Sequence, residues 1–268
     1  MFCSCLCIFC QRNVNILPLL YGAAFACENA LKSGCRLLYV AVFVTSQVQM
    51  NSDMRVDSFK HKGLRRLMVE DLRRKGITDE RVLEAMNDIP RHFFMDSSLD
   101  VLAYENRALE ILCKQTISQP STVAFQTQLL DVNENDKILE IGTGSGYQTC
   151  VLCRMKARVY TIERFKPLHN SAQAVFKMLN YRPKCFFGDG YLGLPAYAPF
   201  DRILVTCGAE SIPEKLVEQL KIGGIMVIPI GIGTQVMCKI TKLSQGEIDV
   251  QKYGDFRFVP MLKEKKFC

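Results

Sequence analysis

Apolar residues between positions 61 and 90 recur every three or four residues, and this spacing predicts helices. Leu64, Met68 and Leu72 would lie on one face of a first helix, with polar residues on the opposite face. Gly76 interrupts the pattern, because glycine favours the end of a helix over its interior. This part of the chain is therefore predicted to form a pair of amphipathic helices.

Short polar residues predict where two of the helices begin. Thr78 or Asp79 would cap the second helix of the pair, since such side chains accept hydrogen bonds from the free N–H groups of a first turn. The stretch STVAFQTQLLDV predicts another helix directly after Pro120, with Ser121 or Thr122 as its cap.

From Lys137 onward, short β-rich runs alternate with helical stretches. The predicted strands are KILEI, RVYTIE, KCFFGD, RILVT and IMVIPI. KPLHNSAQAVFKML and PEKLVEQL have helical spacing and lie between strands. This alternation is typical of a parallel sheet with helices on both faces. QVMCKITKL and EIDVQKYGDFRFVP follow without a helix between them, so we expect an antiparallel edge.

These elements divide the chain into three predicted regions: a non-core N-terminal extension over residues 1–53, a helical region over residues 54–132, and an α/β domain over residues 133–268. The fold class is α/β, with a doubly wound, mostly parallel sheet and a C-terminal β edge. The extension holds two apolar runs, each shorter than the roughly 18 residues that span a membrane. We interpret it as sequence upstream of a start at Met50 or Met54, and we expect no membrane association.

Composition and charge narrow the classes of function. The chain has 34 Lys and Arg against 27 Asp and Glu, a net charge of +7, but the surplus lies in HKGLRRLMVEDLRRKG and RFVPMLKEKK and forms no long polybasic arm. Nucleic acid is therefore not expected as a partner. His61, His92 and His169 lack the spacing of metal ligands, which favours packing or surface roles.

Cysteines are concentrated near the start of the chain, where CSCLCIFC begins a group of six within the first fifty residues. This group lacks a second pair of ligands at zinc-finger spacing, so we predict no metal site. Later cysteines lie among apolar neighbours, as in TCVLCRM, which indicates buried reduced thiols. Such cysteine usage predicts a cytoplasmic protein.

The stretch KILEIGTGSGYQ leads from an apolar strand directly into a glycine turn. Gly142, Gly144 and Gly146 fall at the carboxyl end of the first predicted strand, where doubly wound sheets bind ligands. Glycine permits a tight turn and a close approach of the backbone to a ligand. The spacing G-x-G-x-G differs from the G-x-G-x-x-G of pyrophosphate sites, so the turn alone leaves the ligand open.

Three carboxylates at successive strand ends indicate which ligand the turn holds. Glu140 precedes the turn, where it would repel phosphates and attract a cationic ligand. Glu163 follows Gly142 by 21 residues, a spacing at which an acid accepts hydrogen bonds from ribose hydroxyls. Asp189 is placed to receive an exocyclic amine such as that of adenine. Glu163 alone would fit a solvated strand end equally well, but the three acids together predict S-adenosyl-L-methionine, which combines ribose, adenine and a positive centre.

Eight segments of the chain carry a wider resemblance. They are MVEDLRRKGITDERVLEAMNDIPRHFF, AYENRAL, QTISQP, LEIGTGSGYQT, YTIE, GDG, APFDRILVTCGAESIPEKLVEQLKIGG and FRFVP. Together they closely resemble the protein-L-isoaspartate O-methyltransferase family over about residues 59–262, and QTISQP with LEIGTGSGYQT is specific to that family. The resemblance implies a Rossmann-like methyltransferase fold that uses S-adenosyl-L-methionine. It also implies methyl transfer to the α-carboxylate of L-isoaspartyl residues in damaged proteins, after which the ester collapses to a succinimide.

The resemblance implies roles for individual residues as well. Ser118 of TISQP would be catalytic, orienting the substrate carboxylate by a hydrogen bond without acting as a nucleophile, and would bind substrate together with Phe258 and Val259. The residues expected to bind the cofactor are Thr116, Ile117, Glu140, Gly142, Thr143, Gly144, Gly146, Glu163, Asp189 and Gly190. No metal is expected. The expected partners are isoaspartyl-containing proteins and peptides, and the chain is expected to act as a monomer.

One loop departs from the family pattern. Family members usually carry Gly-x-Gly immediately before QTIS, whereas Leu112 and Lys114 stand at those positions here. Side chains there are expected to block a backbone with positive φ or to crowd the pocket entrance, and Lys114 is alternatively a charge that attracts the anionic substrate. The alternatives are therefore a family member that binds the cofactor with weak or no isoaspartyl activity, or a methyltransferase acting on another carboxylate or a small molecule.

Overall fold

The structure, a computed structural model, describes residues 55–267. The predicted extension over residues 1–53, with its clustered cysteines, lies outside the described residues. From Asp57 onward the chain forms one compact unit, which contains both the helical region and the α/β region distinguished by sequence. In the part of the chain that the structure describes, no helix is long and apolar enough to cross a membrane.

Six α-helices lie within residues 55–267: α1 Phe59–Arg74, α2 Glu80–Asp88, α3 Pro120–Leu130, α4 Tyr147–Arg154, α5 Lys166–Met178 and α6 Glu214–Glu218. The helix pair predicted from the apolar spacing corresponds to α1 and α2. Gly76 lies between them in the left-handed region, at φ 91°, as the break in the pattern indicated.

Nine strands lie in the same range: β1 Leu109–Ile111, β2 Gln115–Ile117, β3 Lys137–Ile141, β4 Arg158–Glu163, β5 Lys184–Phe187, β6 Phe200–Val205, β7 Leu220–Ile230, β8 Gln235–Ser244 and β9 Glu247–Phe256. β1 and β2 form a small antiparallel pair, and the other seven form one sheet in the order β5-β4-β3-β6-β7-β8-β9. β5, β4, β3, β6 and β7 are parallel, while β8 and β9 add an antiparallel edge. The predicted fold class and the predicted edge are confirmed.

The sheet has a switch point beside β3. The chain moves outward from β3 through β4 to β5, and then returns to the other side of β3 to form β6 and β7. The loops that leave β3 and β6 therefore diverge to opposite faces at the carboxyl ends of two adjacent strands. A crevice opens at such a point, and ligands of doubly wound sheets bind there.

Apolar strand residues bury both faces of the sheet. Leu139 of β3, Ile203 of β6 and Met226 of β7 are fully buried in one cluster, and Ile138 and Leu204, their sequence neighbours, are fully buried in another. Adjacent strand residues point to opposite faces, so this pattern requires cover on both sides. Each such side chain contributes about 1.5–3 kcal/mol on burial.

The cap of α2 agrees with its prediction. The Asp79 carboxylate accepts a hydrogen bond from the backbone N–H of Arg81 at 3.0 Å, which satisfies one donor of the first turn. Thr78 lies outside the cap and donates its backbone N–H to the Gln128 side chain of α3 at 2.7 Å.

The cap predicted for α3 is wrong. The helix begins at Pro120, and Gln119 holds the capping position without a side-chain hydrogen bond, so neither Ser121 nor Thr122 has that role. Proline at the first helical position removes one of the free N–H groups of the first turn. The N–H of Ser121 is satisfied instead by the Asn106 side chain at 2.9 Å.

Five of the six described cysteines are free thiols, as predicted: Cys150, Cys153, Cys185, Cys207 and Cys238. The prediction of reduced thiols is wrong for Cys113, which is disulfide-bonded. Burial raises the pKa of the Cys150 thiol far above its usual value. A thiol held in its neutral form is a weak nucleophile, so Cys150 has a packing role in the interior.

Candidate active site

Two cavities lie side by side at the switch point. The first cavity is lined by residues that follow β3, β4 and β6, together with residues that follow β9. The second cavity, about 460 Å³ in volume, is lined by residues around the end of β2 and the end of β9. Thr116, Thr206 and Val259 belong to both linings, so the two cavities adjoin.

Eight of the residues predicted from sequence line these cavities. Those in the lining of the first cavity are Thr116, Gly142, Gly144, Glu163 and Gly190. Those in the lining of the second cavity are Ser118, Phe258 and Val259. Half of the proposed cofactor residues therefore line the first cavity and the proposed substrate residues line the second, while Thr116 and Val259 line both.

Gly142 needs to be glycine for two reasons. Its φ is 93°, and a Cβ at this position would lie 2.6 Å from the Thr206 Oγ1 atom. That hydroxyl follows β6 and donates to the Gly142 carbonyl at 2.7 Å, so it fixes the first residue of the turn against the neighbouring strand. A side chain at 142 would displace this contact and enter the first cavity.

Glu163 joins the glycine turn to the end of β4. Its Oε2 accepts the N–H of Gly144 at 2.8 Å, and its Oε1 accepts the N–H of Phe165 at 2.9 Å. A carboxylate has about four lone-pair sites, so each oxygen retains the capacity to accept one hydroxyl. Burial raises the pKa of this carboxyl group, and the backbone hydrogen bonds oppose that shift.

Asp189 has a different environment from the one expected. It is absent from the lining of the first cavity; its Oδ1 accepts the N–H of Tyr191 and its Oδ2 accepts the N–H of Glu264, both at 2.9 Å. The first bond caps the turn after β5, and the second holds the chain that follows β9. The expectation that Asp189 receives an exocyclic amine finds no support in this placement, because Asp189 does not line the first cavity.

Glu140 lies behind the cavity wall. It is fully buried, and its Oε2 accepts the Thr149 hydroxyl of α4 at 2.5 Å. Burial raises the pKa of this carboxyl group to about 7. The expectation that Glu140 faces a cationic ligand must be corrected, because residues within a strand alternate between faces and this one faces α4.

The other predicted cofactor residues outside the lining have structural roles. Ile117 is buried in the core, and the Thr143 hydroxyl lies 2.6 Å from the Thr161 hydroxyl of β4. At Gly146 a Cβ would lie 2.6 Å from the ring of Phe176, so glycine there permits α5 to pack closely against the turn. These residues pack in the protein interior and do not line the first cavity.

The loop that departs from the family pattern keeps a left-handed backbone. Cys113 and Lys114, between β1 and β2, have φ values of 58° and 55°. The expectation that side chains there block positive φ is wrong for Lys114, which adopts it, whereas Leu112 does not require it. Because the turn is completed, Thr116 still borders both cavities and Ser118 borders the second.

Sequence reasoning missed about two thirds of the first cavity's lining: Gln115, Ile141, Ile162, Arg164, Phe165, Leu168, Thr206, Cys207, Pro260, Met261 and Leu262. Thr206 and Cys207 directly follow β6, so the rule that ligands bind at the carboxyl ends of strands could have identified them. Pro260, Met261 and Leu262 come from the chain after β9, and no local signal places that segment over the cavity.

The histidines are less dispersed than the sequence suggested. The rings of His61 and His92 lie 3.8 Å apart, and together with Asp57 they form a group that could hold a metal ion by distance alone. Arg65, however, pairs with both carboxylate oxygens of Asp57 at 3.0 Å. A guanidinium cation at that carboxylate opposes a metal cation, so we interpret the group as a polar packing network.

Comparison with known proteins supports the interpretation drawn from the geometry of the site. The family model for protein-L-isoaspartate(D-aspartate) O-methyltransferase matches residues 64–266. The protein-L-isoaspartate O-methyltransferase of Christiangramia forsetii is 50% identical over 210 residues, which cover 78% of this chain and 99% of the relative. The enzyme of the same name from Flavobacterium johnsoniae is 52% identical over the same coverage.

A solved structure extends this agreement to three dimensions. It is a putative protein-L-isoaspartate O-methyltransferase from Plasmodium falciparum in complex with S-adenosyl-L-homocysteine, with a TM-score of 0.66 and 28% identity. The similarity covers 76% of this chain and 99% of that chain.

Proposed function

Because this chain belongs to the protein-L-isoaspartate(D-aspartate) O-methyltransferase family, we propose that its two adjoining cavities hold the methyl donor and the methyl acceptor side by side. The chain is an S-adenosyl-L-methionine-dependent enzyme that methylates the α-carboxylate of L-isoaspartyl residues in damaged proteins. The observation that carries the proposal is the shared wall of Thr116, Thr206 and Val259 between the cavities.

The first cavity suits S-adenosyl-L-methionine. Gly142 leaves room where a Cβ would collide with Thr206, and the oxygens of Glu163 keep acceptor capacity for two ribose hydroxyls. Phe165, Leu168 and Met261 add apolar surface to the wall. When bound, this cofactor supplies an electrophilic methyl group carried on a sulfonium.

The chain's own residues orient the two reactants and exclude water from the cavities. Attack of a carboxylate on a sulfonium neutralises charge, so the reaction is faster in a water-poor cavity than in water. No general base is required, because an α-carboxyl group with a pKa of about 3.5 is already ionised at neutral pH. Orientation of the two reactants can lower such a barrier by about 7–11 kcal/mol in favourable cases.

Ser118 is the residue to which we assign the orientation of the acceptor carboxylate. It lines the second cavity together with Phe258 and Val259, and it follows Thr116 of the shared wall by two residues. Phe258 is itself fixed, because its N–H donates to the Gln235 side chain at 2.8 Å. The chain after β9 thus offers a fixed backbone edge for an acceptor peptide opposite Ser118.

The acceptors that we propose are isoaspartyl-containing proteins and peptides, and the lining of the second cavity supports this class. Among its residues Arg257 is the one cationic side chain, beside Asp255, which fits a peptide better than a polyanion. One copy of the chain carries both cavities, so we propose that it works as a monomer. Five of the six described cysteines are free thiols, which supports a cytoplasmic location, whereas Cys113 is disulfide-bonded.

Replacement of Ser118 tests this assignment. Loss of one hydrogen bond to a charged group is worth about 1.5–3 kcal/mol, so Ser118→Ala should lower kcat/KM for an isoaspartyl peptide roughly 10- to 100-fold. Affinity for S-adenosyl-L-homocysteine, measured by calorimetry, should stay unchanged. Ser121→Ala, three residues away and outside both linings, is the matched control and should retain normal turnover. Normal turnover by Ser118→Ala would refute the role given to Ser118.

A further inference from the structure

Arg91 is a charged residue in the interior of the protein. It follows Pro90 in a short 3-10 helix over Arg91–Phe94, and it is fully buried. Burial lowers the pKa of its guanidinium to about 10, so the group still carries its charge at neutral pH. Among the ion pairs of the described residues, none involves Arg91. A buried charge without a carboxylate partner is expensive, so its remaining contacts matter.

The contacts of Arg91 reach three separate segments. Its Nε donates to the Ala103 carbonyl at 2.8 Å, and its Nη2 donates to the Ser118 carbonyl at 2.8 Å. Its guanidinium carbon lies 4.8 Å from the centre of the Tyr147 ring, a cation–π distance. Within the described part of the chain, Nη1 has no hydrogen-bond partner.

Two of these segments belong to the two sides of the active site. Ser118 carries the hydroxyl that we propose orients the acceptor carboxylate. Tyr147 is the first residue of α4 and directly follows the glycine turn that ends at Gly146. The guanidinium therefore lies over the ring of the first residue of α4 and donates to the backbone of the loop that carries Ser118. Arg91 thus links Ser118 of the second cavity's lining to the helix that follows the glycine turn.

We infer that Arg91 is a positioning residue that sets the location of Ser118 relative to the glycine turn. This inference rests on the role proposed for Ser118. A guanidinium suits the task, because its donors lie in one fixed plane, whereas the flexible ammonium of lysine has no fixed donor plane. Without that bond the Ser118 backbone can move, and a displacement of about 1 Å can reduce a rate on the order of a hundredfold.

A double-mutant cycle tests the inference. Arg91→Met removes both donors while keeping an apolar stem, and Arg91→Lys retains a cation. In the wild-type background, Arg91→Met should lower kcat for an isoaspartyl peptide roughly 10- to 100-fold, with affinity for S-adenosyl-L-homocysteine unchanged, and Arg91→Lys should recover part of that loss. In the Ser118→Ala background, the same Arg91 substitutions should have little further effect, because the group that they misplace is already absent.

Lys242→Met is the matched control for loss of a buried cation. Lys242 is 3% exposed, donates to the carbonyls of Val217, Glu218 and Leu220, and is absent from both cavity linings. The Lys242→Met substitution should lower the melting temperature, while turnover, assayed well below that temperature, stays normal. Equal losses from the Arg91 substitutions in both backgrounds would overturn the inference and leave the role of Ser118 intact. Unchanged turnover by Ser118→Ala alone would instead refute the proposed function of that serine, and the inference with it.

Discussion

At the scale of single residues, Glu140 links the pH of the solution to the stability of the fold. Burial raises the pKa of its carboxyl group from the usual 4.5 to about 7 in the folded chain. Between these values the folded chain keeps a proton that the unfolded chain releases. Stability from this group is therefore complete below about pH 4.5, falls as the pH rises through 7, and then levels off.

Glu140→Gln should remove this dependence. The shift corresponds to roughly 3 kcal/mol, so the variant should gain stability relative to the wild type between pH 5 and pH 8. Free energies of unfolding from urea titrations at several pH values measure this difference. Glu84→Gln, at an exposed position of α2, controls for the loss of a carboxylate. Parallel curves for wild type and Glu140→Gln would contradict the assignment.

The positions of individual residues were predictable where a strand end alone decides them. Glu163 and the first two glycines were placed by the carboxyl-end rule, and they line the first cavity. Glu140 and Asp189 satisfied the same rule by sequence, yet one faces α4 and the other binds backbone donors. The direction of a side chain depends on strand alternation and on tertiary partners, which the spacing of acids does not contain.

At the scale of elements, the loop between β1 and β2 adopts a strained, left-handed backbone conformation. Lys114 has a φ of 55°, in the region where a Cβ costs about 1–2 kcal/mol. The family's glycine would adopt this conformation freely. The departure from the family pattern is therefore expected to affect stability more than turnover.

Comparison of two substitutions isolates that strain. Lys114→Gly removes the Cβ, whereas Lys114→Ala removes the charge and keeps the Cβ. The glycine variant should be more stable than the alanine variant by about 1 kcal/mol or less, because the greater freedom of unfolded glycine offsets part of the gain. Melting temperatures with isoaspartyl turnover on both variants provide the test. Greater stability of the alanine variant would show that the loop is unstrained.

The types of the elements were predictable because apolar residues recur with different periods in helices and in strands. The alternation of apolar strands and helical stretches after Lys137 gave the parallel sheet and its antiparallel edge. Boundaries were harder to predict: β7 begins at Leu220, five residues before the apolar run IMVIPI. The start of α3 depends on Asn106, which lies 15 residues from the N–H that it satisfies. A contact between distant residues leaves no local pattern to detect.

At the scale of the whole molecule, the chain after β9 crosses the first cavity. Met261 and Leu262 line it, and the Arg164 guanidinium donates to the carbonyls of Lys263 and Glu264, both at 2.9 Å. Asp189 holds the same segment through the N–H of Glu264. The order of elements in the sequence does not predict this return to the glycine turn.

Release of that segment should accelerate loss of the cofactor. Arg164→Ala removes two hydrogen bonds worth about 1 kcal/mol each, so dissociation of S-adenosyl-L-homocysteine should become several-fold to tenfold faster in stopped-flow measurements. Arg182→Ala removes an exposed arginine outside the first cavity's lining and should leave the rate unchanged. An unaltered rate in Arg164→Ala would mean that the segment does not retain the cofactor.

The most direct test of the account is transfer of a labelled methyl group from S-adenosyl-L-methionine to two peptides that differ only in one linkage. The wild-type chain should methylate the peptide with an L-isoaspartyl residue and leave the peptide with normal aspartate unlabelled, because only the former presents a free α-carboxylate to the second cavity. The label should be released by base, as expected of a methyl ester. Equal labelling of both peptides, or tight cofactor binding with no labelling of either, would contradict the account.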